Sequence, residues 1–191
     1  MLHASANPSR CFRRNGSSPE VASVAAVYDR RISYMTERLH RLETTFQRYP
    51  IYFVTACTHD RRHLLADIAI QTRLLEFGKE GEMRGDWLGA YALMPDHLHL
   101  FVAIDDSRAN LSTWIKSLKN SLSKSLRESG VPGPHWQKGF FDHLLRSDES
   151  YSEKWEYVRQ NPVRAGLIGN ADDWKFLGTV FRLEFHNASV R

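Results

Sequence analysis

Two groups of residues in this chain have types and spacing that can do chemistry: His97-Leu98-His99, and Tyr157 with Asn161. Side chains alternate along a β-strand, so His97 and His99 share one face while Leu98, Leu100 and Val102 take the other. Two imidazoles converging from such positions, with a third ligand from elsewhere, can hold a divalent ion and leave positions open for substrate oxygens. His-x-His also arises by chance on a half-exposed strand, and the motif alone does not separate the two readings. Tyr151, Trp155 and Val158 form the apolar stripe of a helix, and at about 100° per residue Tyr157 and Asn161 fall together away from it. On the functional reading Tyr157 is a nucleophile and Asn161, one turn on, supplies an oxygen to an ion held by His97 and His99. On the bland reading Tyr157 packs on a loop and Asn161 is a helix-end residue before Pro162.

The elements that must position these residues follow from pattern. Residues 51–58 are β-branched and aromatic, a buried strand. Asp67 can cap a helix running to Lys79, with Ile70, Leu74 and Phe77 at helical spacing and Gly78 and Gly81 as its end. Strands at 87–94 and 97–104 flank the turn Pro95-Asp96, a hairpin. Over 110–128, Leu111, Ile115, Leu118, Leu122 and Leu126 make the apolar stripe of a helix, while Lys116, Asn120, Ser123 and Arg127 line another face. A short strand at 136–140 and a helix at 148–160, stopped by Asn161-Pro162, complete the set. The order β-α-β-β-α-β-α implies an α+β domain of ferredoxin-like kind, a largely antiparallel sheet with helices packed on one side.

Composition sets the frame. With 191 residues, 42% apolar and 12% aromatic, the chain can bury one sizeable core, which argues against disorder throughout. The formal charge of +4 is uneven: residues 1–50 carry 8 basic against 4 acidic groups, 51–110 carry 6 against 9, and 111–170 carry 9 against 6. That distribution permits a polyanionic partner without demanding one. No apolar run approaches the ~20 residues of a membrane helix, and Met1 to Gly16 has no apolar signal core, so a cytoplasmic protein is expected. Cys11 and Cys57 form no Cys-x-x-Cys pair, which excludes a disulfide framework or a thiolate zinc site. Residues 1–44, broken by Pro, Gly and Arg pairs around one apolar patch at 21–27, read as a flexible basic extension; the domain is expected over 45–180, with a tail at 181–191.

Several stretches resemble one known family. Tyr52-Phe53-Val54-Thr55, Met94-Pro95-Asp96-His97-Leu98-His99, the run 136–146 (Trp-Gln-Lys-Gly-Phe-Phe-Asp-His-Leu-Leu-Arg) and the run 157–167 (Tyr-Val-Arg-Gln-Asn-Pro-Val-Arg-Ala-Gly-Leu) are similar to REP-associated tyrosine transposases, in the same order. These belong to the single-tyrosine branch of the HUH (His-hydrophobe-His) single-strand DNA endonucleases. The resemblance covers roughly 45–180 and implies that His97, His99 and Asn161 hold a divalent metal, Mg²⁺ or Mn²⁺, and that Tyr157 is catalytic. It further implies a 5′-phosphotyrosine link, a free 3′-hydroxyl, recognition of small palindromic hairpins in single-stranded DNA, and a nucleoid-associated protein acting as monomer or homodimer.

The sequence offers further candidates. Lys116, Lys119, Lys124 and Arg127 can meet phosphates, and Trp114 or Trp136 can stack on a base; equally, these are a solvated helix face and core tryptophans. His143 is structural or DNA-contacting, Lys154 lies one turn before Tyr157 and can assist its ionisation, and Arg61 and Arg62, between His59 and His63, can touch phosphate. The competing function is a hairpin-binding module of the same fold that no longer cuts. A phosphoester hydrolase lacks support: Phe101 stands where a His-x-His-x-His motif needs its third histidine.

Overall fold

A computed structural model describes residues 45–47 and 49–185. The elements follow the chain as β1 (Thr45–Gln47), β2 (Ile51–Cys57), α1 (Ile68–Lys79), α2 (Gly81–Arg84), β3 (Asp86–Leu93), β4 (His97–Ile104) and α3 (Leu111–Glu128). Then come β5 (Phe141–Leu145), α4 (Asp148–Arg159), α5 (Asn161–Arg164), β6 (Leu177–Thr179) and β7 (Leu183–Phe185). The expected extension over 1–44, with its patch at 21–27, lies outside the described residues, as do 186–191.

Five strands form one antiparallel sheet in the order β5-β2-β4-β3-β6, so the two histidines sit on the central strand. The fold is α+β, as the pattern implies. Alternation along β2 and β4 divides the core in two. Val54, Ala56, Leu98, Leu100 and Val102 face α1 and α3, meeting Ile70, Leu74, Ile115, Leu118 and Leu122. Phe53, Phe101 and Ala103 face the other way and pack with Trp155 and Val158 of α4. The helices are therefore not all on one side: α4 covers the face that carries His97 and His99. At about 1.5 to 3 kcal/mol per fully buried large apolar side chain, both faces are strongly held.

Helix ends obey local chemistry. Asp67 Oδ1 accepts from the backbone N–H of Ala69 (2.8 Å) and Ile70 (3.3 Å), and Asn110 Oδ1 accepts from that of Thr113 at 2.8 Å. α3 ends in a left-handed turn at Gly130, φ 77°, where Val131 N–H donates to the Leu126 carbonyl and Gly130 N–H to that of Arg127.

Some expectations require correction. Gly78 does not end α1 but lies inside it, close enough to β3 that a Cβ would come within 2.8 Å of Leu88 Cδ2. The strand expected at 136–140 is displaced to Phe141–Leu145; Trp136 makes only an isolated bridge with Thr58. Ser123, expected on the polar face of α3, is buried and accepts the Trp136 indole N–H at 3.0 Å. From the expected tail at 181–191, β7 pairs in parallel with β1.

Candidate active site

The register of the sheet builds the site. His99 lies opposite Thr55, and His97 opposite Cys57. His99 is 2% exposed, its ring stacked on Phe53 at 5.5 Å and set edge-on to His97 at 4.8 Å. Its two nitrogens have different partners: Nδ1 lies 2.8 Å from Thr55 Oγ1, and Asn161 Nδ2 lies 2.9 Å from Nε2. A carboxamide NH₂ only donates, so Nε2 is the acceptor and Nδ1–H donates to the threonine. Burial first, then the positive groups of His97, Arg164, Arg61 and Lys154, hold the His99 imidazole well below the usual histidine range and keep it neutral.

His97 is fixed from the turn before it. Its Nδ1 lies 2.7 Å from Asp96 Oδ1, while Asp96 Oδ2 accepts from Arg61 Nε at 2.8 Å. Burial pushes the Asp96 carboxyl up, but the His97 hydrogen bond and the charges of His97 and Arg61 outweigh it and leave the group below the usual carboxylate range. The ionised carboxylate accepts a hydrogen bond from Nδ1–H, which leaves the Nε2 lone pair turned away from Asp96. Arg61 reaches Asp96 because Asp60 and Arg61 adopt left-handed backbone, φ 52° and 57°, at a cost of order 1 to 3 kcal/mol each. Arg61 Nη1 also contacts Cys57 Sγ at 3.0 Å.

α4 delivers the remaining groups. Trp155 and Val158 anchor it in the core, Trp155 and Tyr151 against Phe101 at 6.0 and 4.5 Å, so the opposite stripe is left for Tyr157, 37% exposed. The chain passes through Gln160 in helical backbone and restarts at Asn161-Pro162, with Pro162 buried at the start of α5. Proline at the start of a helix has no N–H to waste. Asn161 therefore reaches His99 while Tyr157 stands one turn back. Arg164 ties the two together: its Nη2 donates to the Tyr157 carbonyl and to Asn161 Oδ1, and its Cζ lies 4.0 Å over the Tyr157 ring. Burial raises the Tyr157 phenol above its ordinary value, with Arg164 opposing. The phenol is thus protonated at neutral pH.

Four of the sequence candidates, His97, His99, Tyr157 and Asn161, are brought to one side of the sheet. Lys154 joins them, its Nζ 5.4 Å from the Phe53 ring centre. His143 lies opposite Phe53 in the ladder and so projects from the same face, exposed on the edge strand. Lys116, Lys124 and Arg127 are exposed on α3, across the sheet from the histidines, and Lys124 lies 3.9 Å from Glu128. The Lys119 ammonium is spent on the carbonyls of Gly139 (2.6 Å) and Gln137 (3.3 Å). Trp136 is half-buried with its indole N–H shared between the Lys119 carbonyl and Ser123. Trp114, a stacking candidate, is a core residue whose N–H donates to Asp86 Oδ1 at 2.8 Å. Thr55, Asp96 and Arg164 have no assigned part in the site from sequence, and Arg61, read there only as a phosphate contact, pairs with Asp96. Only Arg164 carries a local signal, being three residues beyond Asn161 and seven beyond Tyr157 on one helical face.

Among the described residues there is no cluster of three or more His, Cys, Asp and Glu able to hold a metal. The donor set that fits one is two imidazole Nε2 atoms with Asp96 and Thr55 behind them, plus the Asn161 carboxamide; the remaining positions would fall to water or phosphate oxygens, as suits a hard divalent ion. Among the described residues no helix is long and apolar enough to cross a membrane.

Comparison with known proteins gives the family and the fold. The model of the family described as "Transposase IS200 like" matches residues 47–161. An Escherichia coli REP-associated tyrosine transposase is 23% identical over 135 residues, covering 69% of this chain and 79% of its own. A Haemophilus influenzae protein provisionally named a REP-associated tyrosine transposase is 29% identical over 101 residues, covering 46% of this chain and 55% of its own length. The solved structure of a REP-associated tyrosine transposase bound to a REP hairpin superposes with TM-score 0.56 at 20% identity, over 70% of this chain and 81% of that one, and so shares the fold. The family match spans more than half of the chain and takes in both histidines, the tyrosine and the asparagine: the chain belongs to the IS200-like transposase family.

Proposed function

We propose that this chain is a divalent-metal-dependent endonuclease and strand transferase for single-stranded DNA, acting at REP-type palindromic hairpins through a 5′-phosphotyrosine on Tyr157. The observation that carries this reading is the contact of Asn161 with His99 at 2.9 Å, with Tyr157 one turn away on the same helix and tied to Asn161 through Arg164. The hairpin comes from the relative whose structure holds one. A bound Mg²⁺ or Mn²⁺ would polarise the scissile phosphate and neutralise charge on the departing 3′ oxygen.

The chain's own residues do the rest. His97 and His99, oriented by Asp96 and Thr55, present ligating nitrogens, and Asn161 supplies the third ligand. Tyr157 Oη attacks phosphorus in line; the O–P bond forms as the P–O3′ bond breaks, the phenol loses its proton and the 3′ oxygen gains one. A phenol with a pKa near ~10 or above needs that polarised phosphate. The tyrosyl ester conserves bond energy, so a new 3′-hydroxyl can reverse the reaction and rejoin strands. His143 and Lys154, on the same sheet face, contact the cut strand; Lys116, Lys124 and Arg127 offer charge to DNA that extends around α3, and Lys119 and Trp136 hold the 136–140 segment against that helix.

Incubating the protein with Mn²⁺ and a hairpin oligonucleotide with single-stranded flanks tests the proposal. Nicking that stops with chelator and leaves the fragment downstream of the cut on the protein, joined through its 5′ phosphate, supports it. Hairpin binding with no nicking in either ion overturns it in favour of a binding module.

A further inference from the structure

Arg164 has no part in the reaction just described, yet it holds the two residues that matter most. Its Nη2 donates both to the Tyr157 carbonyl and to Asn161 Oδ1, and its Cζ stacks 4.0 Å over the Tyr157 ring. Guanidinium N–H groups donate and never accept, so the carboxamide oxygen of Asn161 must face Arg164 and its NH₂ must face His99 Nε2, at 2.9 Å. Two atoms that a divalent cation needs, Asn161 Oδ1 and the His99 Nε2 lone pair, are therefore each engaged by a protein hydrogen bond.

We propose that Arg164 is a positioning residue that holds Asn161 Oδ1 turned away from the two imidazoles, so that a cation enters only when the carboxamide turns over and parts from the guanidinium. The proposal rests on the reading of His97, His99 and Asn161 as ligands. Turned over, Asn161 Nδ2 would meet Arg164 donor against donor, so the two arrangements exclude each other. The released guanidinium, exposed beside the Tyr157 ring, is then available to a phosphate of the substrate strand, whose oxygens accept from two donors at once. Cation and DNA thus favour the same state, and each raises the affinity of the other by the same factor.

The test is Mn²⁺ binding to the full chain without DNA, followed by the electron paramagnetic resonance signal of free Mn²⁺, with urea unfolding confirming that each variant is folded. Arg164→Ala is expected to bind Mn²⁺ about tenfold more tightly than the parent, the scale of one charged hydrogen bond. Arg164→Gln, too short to span both acceptors, should move in the same direction and serves if the alanine variant does not fold. Arg164→Lys, which keeps a donor, should return toward the parent affinity. A single-stranded oligonucleotide should tighten Mn²⁺ binding in the parent and have a smaller effect in Arg164→Ala. Equal or weaker Mn²⁺ binding in both Arg164→Ala and Arg164→Gln, as a merely structural arginine would give, overturns the proposal while His97→Ala still weakens binding. If His97→Ala binds as tightly as the parent, the ligand reading itself fails, and this proposal with it.

Discussion

Replacing Asp96 by asparagine changes one atom and should disable the site through His97. In the parent, Oδ1 lies 2.7 Å from His97 Nδ1 and Oδ2 lies 2.8 Å from Arg61 Nε, so both carboxylate oxygens accept. A carboxamide has one acceptor and one donor end. Whichever way it turns, an N–H faces another N–H: it either keeps His97 and repels Arg61, or keeps Arg61 and pushes His97 toward the tautomer whose Nε2 carries the proton and cannot ligate. Loss of such an orienting partner typically costs 10- to 100-fold in metal affinity or activity, about 1.4 to 2.8 kcal/mol. The Asp96 to Arg61 pair is partly exposed, so fold stability should change by no more than about 1 kcal/mol. The assay is the rate of covalent attachment to a hairpin oligonucleotide across a Mn²⁺ titration. Asp96→Asn should shift the half-saturating Mn²⁺ upward by at least tenfold, with much of the rate recovered at high Mn²⁺. An unshifted titration in a folded variant would refute the argument that Asp96 acts by setting the tautomer and orientation of His97.

Trp155→Ala removes the 6%-exposed anchor of α4 and should cost about 3 to 5 kcal/mol in urea unfolding; a loss below 1 kcal/mol would mean that α4 is not held as described. Asp86, with a side chain 2% exposed, has its carboxyl raised by burial despite hydrogen bonds from Arg84 and Trp114 and the Arg84 charge. The folded state therefore binds this proton more tightly than the unfolded one, and Asp86's contribution to stability is largest below the ordinary carboxylate range and declines as pH rises through its raised pKa. Unfolding free energy of the parent minus that of Asp86→Asn should fall across that window, and a difference that rises would contradict the direction. The double substitution of Lys116 and Arg127 by alanine should weaken hairpin binding and flatten its salt dependence while leaving attachment per bound hairpin unchanged; a large drop in that bound-state rate would place α3 at the reacting strand instead.

What was legible in the sequence was what depends on local period. The shared face of His97 and His99 follows from strand alternation, and the meeting of Tyr157 and Asn161 from helical spacing, each within a few residues of chain. Thr55 could not be seen as the partner of His99, because that pairing depends on a β2 to β4 register linking residues 44 apart. Asp96 read as a turn residue, and its second role needs Arg61 brought in by two left-handed residues that no pattern announces. The sequence pattern points to 136–140 instead of β5 because Phe141, Asp142, His143 and Leu144 are all exposed on a sheet edge, so no alternation of polarity marks the strand, while Trp136 owes its burial to α3. The side of the sheet on which each helix packs was equally hidden: α3 and α4 are both amphipathic, and only tertiary contacts send one to the Leu98 face and the other to the Phe101 face.

The central claim is that Tyr157 becomes bonded to DNA. After reaction with a hairpin oligonucleotide and Mn²⁺, protease digestion and mass spectrometry should yield the peptide containing Tyr157 carrying the 5′-phosphoryl fragment, and Tyr157→Phe should yield no adduct while still binding the hairpin. An adduct on any other residue, or one that persists in Tyr157→Phe, would contradict the account.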